Sequence, residues 1–495
     1  MDSLWLLLTP ATMAAILLGT VFGVIVGALP GLGSVLAITI ILPFTFTMDA
    51  VPAIALVLAV YCSSVYGGSV SAILINTPGT PQSAATTLDG YPMTRRGEAD
   101  LALGWATMAS LIGGLFSTVV LIIAAPQLAR VALRFGPIET FALICLALTC
   151  IAGVSRGSMI KGILAGLLGL FLATVGTDPM TGSVRFTFDV FALSGGLGLI
   201  PVLVGLFALG EVFSRMAERH GSTAQIEGRV GFRLAPLREW LLRWKTLLKS
   251  SLIGTFVGIL PGTGAATASF IAYSEAQRSG RYKEKLGTGE PEGIVASESS
   301  NNAVTGGALV PTLALGIPGD PTTAVLMSAL IIQGIQPGVR LFIDNPEIIN
   351  AAFIALIICN LVMFVVGALS APLITRVLRM PEPVLLGMVL VLSVVGSYGV
   401  GGKLFDVLVT LVAGIAGFFL RVCGVPVAPI VIGMVLGPIF EESLRQGLIL
   451  TDNDFSVFFS LEHPIALGLI TVTFLILAWS AWGEVTAARE RRVAA

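Results

Sequence analysis

The sequence predicts an all-α polytopic integral membrane protein of two inverted structural repeats with broken, re-entrant helical hairpins, about 12–15 membrane segments in all. Three observations carry this. The 495-residue chain is 55% hydrophobic and only 12% charged, against about 25% charged for a soluble domain. Its apolar runs are continuous, which excludes the alternating segments of a β-barrel. Finally, "GALPGLG" (Gly27–Gly33) recurs as "GILPGTG" (Gly258–Gly264).

The elements follow in order. Leu4–Ile25 leads into the Pro-Gly break and then Val35–Phe46. Its start, "MDSLWLLL", lacks the basic region of a cleavable signal peptide, so the segment reads as a retained span. Ile54–Ile75 runs into a second break, "NTPGTP" (Asn76–Pro81). Leu101–Ala125, Phe141–Val154, Ile163–Val175 and Phe191–Leu209 complete the first membrane repeat, residues 1–214. Residues 215–249 are a cytoplasmic basic linker, since short basic loops stay inside. Its "LREWLLRWKTLLK", with Trp240 and Trp244, reads either as an interfacial amphipathic helix or as the polar end of the next span. The second repeat, residues 250–445, holds Leu252–Leu260, Val304–Leu315, Ile348–Ile374, Val384–Val395, Leu404–Leu420 and Val425–Ile439. Residues 446–495 add a span, Ile465–Trp482, and a basic tail.

Placing Pro30 on Pro261 also aligns Gly23, Val26, Gly27, Leu29, Gly31 and Gly33 with Gly254, Val257, Gly258, Leu260, Gly262 and Gly264. "YGGSVSAILINTPGTP" (Tyr66–Pro81) then faces "TGGALVPTLALGIPGDP" (Thr305–Pro321), and "AGLLGLFLATVG" (Ala165–Gly176) faces "AGIAGFFLRVCG" (Ala413–Gly424). Glu211 and Arg215 close one half as Glu441 and Arg445 close the other. The loop after the first break carries no basic residue in half one (Thr45–Ala50) but Arg278, Arg281, Lys283 and Lys285 in half two. The loop after the second break reverses this: Arg95 and Arg96 in half one, a lone Arg340 beside acids in half two. Equivalent loops on opposite sides mean an inverted repeat. Arg130, Arg134 and Lys403 fit that scheme poorly.

Broken membrane helices expose N–H groups that suit anions and carbonyls that suit cations. Matching breaks in two halves therefore point to a substrate and ion site. The candidates are Pro30, Gly31, Gly33, Ser34, Asn76, Thr77, Pro78, Gly79 and Thr80 in half one. In half two they are Pro261, Gly262, Thr263, Gly264, Asn301, Asn302, Pro318, Gly319, Asp320 and Thr322. Adjacent amides such as Asn301-Asn302 are expensive in an apolar segment. Asp320 could bind a cation or proton, or cap the next helix, and Glu298 carries the same ambiguity. "AGLLG" and "AGIAG" read as helix packing.

A net charge of −1 implies no nucleic-acid partner, and five cysteines without a CxxC pair read as reduced thiols rather than a metal site. No phosphate loop or catalytic triad is present, so no enzyme activity and no cofactor are expected. A coupling Na+ or H+ is expected, with Na+ a candidate at the hairpin tips.

"GALPGLG", "YGGSVSAILINTPGTPQSAATTLDGYPM", "SSNNAVTGGALVPTLALGIPGDPTTAVLM" and "GIQPG" together resemble the large membrane subunit (TctA) of the tripartite tricarboxylate transporters, from about Gly19 to Arg445. The resemblance implies a multi-pass protein of the bacterial inner membrane that imports citrate-like carboxylates on an ion gradient. It also implies a small membrane subunit and a periplasmic solute-binding protein as partners, and an elevator-like movement. The alternatives are an intramembrane enzyme acting on a lipid-linked substrate, for which the spans offer only scattered acids, and a passive channel.

Overall fold

The computed structural model describes residues 7–154, 159–218, 231–262, 265–378 and 380–478. In the first half, α1 (Pro10–Ala28) opens with Pro10 at its first position and Thr9 as N-cap, whose hydroxyl accepts from Thr12 N at 3.3 Å. A residue before proline is pushed out of the helical region, so the helix stops at Leu29, which is extended (ψ 119°). Pro30 and left-handed Gly31 (φ 76°) complete a type II turn, closed by Leu32 N on Leu29 O at 3.2 Å. Next come α2 (Gly33–Thr45) and α3 (Ala50–Ile75), which ends on left-handed Asn76 (φ 56°). The chain returns through extended Thr80 into a 3-10 turn (Pro81–Thr86), then α4 (Thr87–Arg95) and α5 (Ala99–Ala132). After α6 (Pro137–Val154) and α7 (Met159–Ala173) comes a small hairpin, β1 (Gly176–Thr177) with β2 (Val184–Arg185). α8 (Leu199–Leu203) continues through a π-helical stretch (Val204–Leu209) into α9 (Gly210–Glu218).

The second half opens with α10 (Leu237–Leu242), α11 (Trp244–Ile259), α12 (Ala265–Ser279) and α13 (Pro291–Leu315). α14 (Pro321–Ile332), α15 (Val339–Asp344) and α16 (Pro346–Leu378) follow. The rest comprises α17 (Glu382–Gly401), α18 (Leu404–Val422), α19 (Ala428–Leu450) and α20 (Pro464–Ala478). Its breaks copy the first pair in backbone: Leu260 is extended (ψ 113°) and Gly262 left-handed (φ 80°). Gly316 is left-handed (φ 69°) where Asn76 is, and Asp320 is extended before Pro321 where Thr80 precedes Pro81. The helix order adds a further match between the halves. "AAPQLARVA" (Ala124–Ala132) and "SAPLITRVL" (Ser370–Leu378) end α5 and α16, each around an internal proline, Pro126 and Pro372.

Among the described residues, seven helices are long and apolar enough to cross a bilayer and five shorter ones are apolar. With almost no strand, this is an all-α, multi-pass membrane protein. The chain divides into two compact units, each drawn from both halves: Met1–Ala129 with Arg215–Val400, and Arg130–Ser214 with Gly401–Ala495.

In the first unit, α1 packs on α3 and α11 on α13 through glycines. A Cβ at Gly19 would reach 2.8 Å from Leu56 O, and one at Gly258 would reach 2.7 Å from Val304 O, so no larger residue permits the approach. The halves also exchange elements. The 3-10 turn and α4 rest on α13, and the turn also meets α12, while α14 rests on α2 and α3. α10 buries Trp240 against Trp105, with ring centroids 4.2 Å apart, so that tryptophan is a packing residue rather than an interfacial one. The rest of the amphipathic stretch is the polar start of α11.

In the second unit, α7 packs on α19, and α18 on the π-helical stretch. Gly166 and Gly169 meet Gly433 and Ile430, while Gly414 and Gly417 meet Leu209 and Leu206. The repeated "AG..G" motifs thus serve packing, as read. A cluster of Ile138, Ala142, Phe458, Ala466 and Ile470 holds α20 to α6.

Candidate functional site

A helix that stops leaves N–H and C=O groups without intrahelical partners, and the breaks pair some of these with each other. Gly262 N donates to Gly319 O at 2.9 Å, so the two breaks of the second half touch. In the first half, Gly79 N donates to Gly68 O at 3.1 Å, and Gly79 lies against the Gly27 carbonyl. Each second break therefore doubles back along its own helix, since Gly319 likewise sits on Ala308. In the first half the return reaches roughly 12 Å below the tip at 1.5 Å per residue.

Of the residues singled out from sequence, Gly33, Ser34, Gly79, Thr80, Gly262, Asn301, Asn302, Pro318, Gly319, Asp320 and Thr322 are buried. Pro30, Pro78 and Pro261 are half-buried, whereas Gly31, Asn76 and Thr77 are exposed. The Thr77 hydroxyl turns back onto Ile75 O at 3.3 Å. Gly31 abuts the guanidinium of Arg215, which pairs with Glu382 at 3.0 Å. Thr263 and Gly264 lie outside the described residues.

Asp320 acts as a cap. Its Oδ1 accepts from Thr323 N at 2.7 Å, while its own N–H donates to the Thr323 hydroxyl at 2.9 Å, a reciprocal capping box. Oδ2 accepts from the Tyr61 hydroxyl at 2.9 Å, which ties the second half's break to α3 of the first. Both carboxylate oxygens are engaged.

The polar face of α13 is the other convergence. Glu298, Asn301 and Asn302 are fully buried. The Glu298 carboxylate accepts from the Thr86 hydroxyl at the end of the 3-10 turn and from Ser110 Oγ of α5 at 3.1 Å. Thr86 also reaches Ser297 Oγ at 3.0 Å. Asn302 Nδ2 donates to Cys62 O at 3.3 Å, but its Oδ1 has no partner. Asn301 stands beside the Glu298 carboxylate, yet neither end of its amide makes a hydrogen bond of normal geometry. Ser34 Oγ and Ser300 Oγ are likewise buried without partners. Such groups are costly to bury unpaired, so the consecutive Ser300, Asn301 and Asn302 mark α13 as the polar centre of the unit.

Another buried acid, Asp89, is structural. Its Oδ1 accepts from Gly287 N, Gly289 N and Glu290 N at 2.9, 2.8 and 2.8 Å, and its Oδ2 from the Tyr273 hydroxyl at 2.8 Å. Arg96 adds bonds to Thr288 O at 2.8 Å and Gly289 O at 2.5 Å. Together they clamp α4 to the loop before α13.

Tyr61, Thr86, Asp89 and Ser110 were not singled out from sequence. Glu298 had a usable signal, an acid three residues before Asn301 and hence on the same helical face. Thr86 and Ser110 had none, because their partner lies 212 and 188 residues away.

A family model described as "Tripartite tricarboxylate transporter TctA family" matches residues 13–432. An Agrobacterium vitis relative, an uncharacterised 52.8 kDa protein in the TAR-I ttuC' 3' region, is 36% identical over 465 residues, covering 94% of this chain and 92% of its own. Another from that organism, a protein in the TAR-II ttuC' 3' region, is 34% identical over 229 residues, which is 45% of this chain and 94% of its own. No solved structure matches the chain.

Proposed function

Because this chain belongs to the tripartite tricarboxylate transporter TctA family, we propose that it is the large permease subunit of a binding-protein-dependent secondary transporter. It imports tricarboxylates or related citrate-like carboxylates across the bacterial inner membrane on a Na+ or H+ gradient. A small membrane subunit and a periplasmic solute-binding protein work with it, the latter delivering substrate. The observation that carries the reading is the doubled break, built to similar dihedral angles in both halves and turning back into the buried interior. Helix starts there offer N–H groups to an anion, and unwound carbonyls suit a cation. Transport proceeds by an elevator-like shift of the elements that bear the breaks.

The test is uptake of labelled carboxylates into proteoliposomes holding the membrane subunits, with the cognate binding protein outside. Accumulation above equilibrium under an inward Na+ or H+ gradient is expected. Equilibration without accumulation would make the protein a passive channel, and no uptake of any carboxylate would end the proposal. Asn301→Ala is expected to abolish uptake while leaving the protein inserted and monodisperse.

A further inference from the structure

We infer that Glu298, Asn301 and the hydroxyls of Thr86 and Ser110 form the binding site of a Na+ ion. The inference rests on the transport reading above and assigns the coupling cation to particular atoms.

Glu298 is the eighth residue of the 25-residue α13, past the first turn where a macrodipole would offset it. Neither of the groups that donate to it is a cation, and no ion pair among the described residues includes it. Asp320 and Asp89 differ, since each is held by backbone N–H groups. A buried carboxylate without a counter-charge is strongly unfavourable. A proton or a metal cation must complete it.

The donor set suits a hard metal cation. A hydroxyl group lies against each carboxylate oxygen, and both can donate to an ionised, acceptor-only carboxylate. The hydroxyl oxygens keep lone pairs free for a metal ion, and oxygen-only ligands suit a hard ion. Asn301, one turn along the same face, is fully buried beside the carboxylate with its amide oxygen unused. Turned toward a bound ion, that oxygen supplies a further ligand. Ser69 of α3 also faces the carboxylate.

The ligands come from the 3-10 turn and α5 of the first half and from α13 of the second. An ion there bridges the halves, so its binding stabilises the fold, because a ligand held only by the native state raises the unfolding midpoint.

The experiment is thermal unfolding of the purified full chain in detergent at pH 8, titrated with NaCl against choline chloride at constant ionic strength. The midpoint is expected to rise saturably with Na+. Glu298→Gln is expected to remove the Na+-dependent rise. Ser110→Ala, which keeps the carboxylate and serves should Glu298→Gln fail to fold, is expected to weaken the apparent Na+ affinity about tenfold or more. A wild-type midpoint indifferent to Na+, or a rise undiminished in both variants, overturns the assignment. So does a rise produced by acidification alone and lost in Glu298→Gln, which would make Glu298 a proton site. This readout is ion binding, so it fails independently of the uptake assay: a protein that transports but shows no Na+-specific rise refutes only the site.

Discussion

Asp89 accepts four hydrogen bonds from donors that all lie in the second half of the chain. Asp89→Ala strands three backbone N–H groups and a phenol. Each unpaired buried donor costs about 1–3 kcal/mol, so the variant is expected to lose at least about 3 kcal/mol, measured as a shift in the denaturation midpoint in detergent. Nothing near "TTLDGYPM" in sequence marks this role, because the partners are about two hundred residues distant. Asp178, in the β1–β2 hairpin, makes a different prediction. The Arg445 guanidinium bonded to it at 2.7 Å, together with backbone N–H groups, holds its carboxyl well below the usual carboxylate range. A depressed folded-state value means the stabilisation is present above the unfolded value of about 4 and is lost as pH falls through the folded one. Asp178→Asn is thus expected to lower the unfolding midpoint at pH 7, and the gap from wild type should narrow steadily below about pH 4.

At the scale of elements, the breaks separate two uses of glycine. Gly33 is left-handed (φ 71°) with open space around it, so Gly33→Ala meets only backbone strain, about 1–2 kcal/mol. At Gly79 a Cβ would strike the Gly27 carbonyl and come within 2.9 Å of Ser71 Oγ and 3.0 Å of Gly68 Cα. Gly79→Ala is therefore expected to push the returning segment off α3 and abolish uptake, whereas Gly33→Ala retains most of it. Radiolabel uptake normalised to inserted protein decides the comparison. The breaks themselves were legible, because Leu-Pro-Gly has a local cause for leaving the helix at Leu29 and Leu260. The apolar runs were legible for the same reason. What each returning segment rests on was not, since hydroxyl-to-carboxylate pairings such as Thr86 with Glu298 are tertiary facts with no periodicity. Asp320 stood between: its capping role follows from "GDPTT", but the Tyr61 bond that completes it does not.

For the whole molecule, the two-fold character of the sequence carries a topological prediction. Thr47, just past α2, and Ser279, at the end of α12, are exposed and occupy equivalent places. In an inverted repeat, Thr47→Cys and Ser279→Cys label with membrane-impermeant maleimide from opposite faces; labelling from one face would make the repeat parallel. The exchange of elements between halves adds a constraint on synthesis. Thr86 and Asp89 find their partners only when α13 and its preceding loop exist, and the Thr45 carbonyl accepts from Gln333 at 2.6 Å only once α14 is made. The first half therefore leaves the ribosome with a carboxylate and several hydroxyls unanswered, and must wait, inserted but unlocked, for the second. Two fragments divided between Glu218 and Gly231 are accordingly expected to be degraded when made singly and to accumulate when made together.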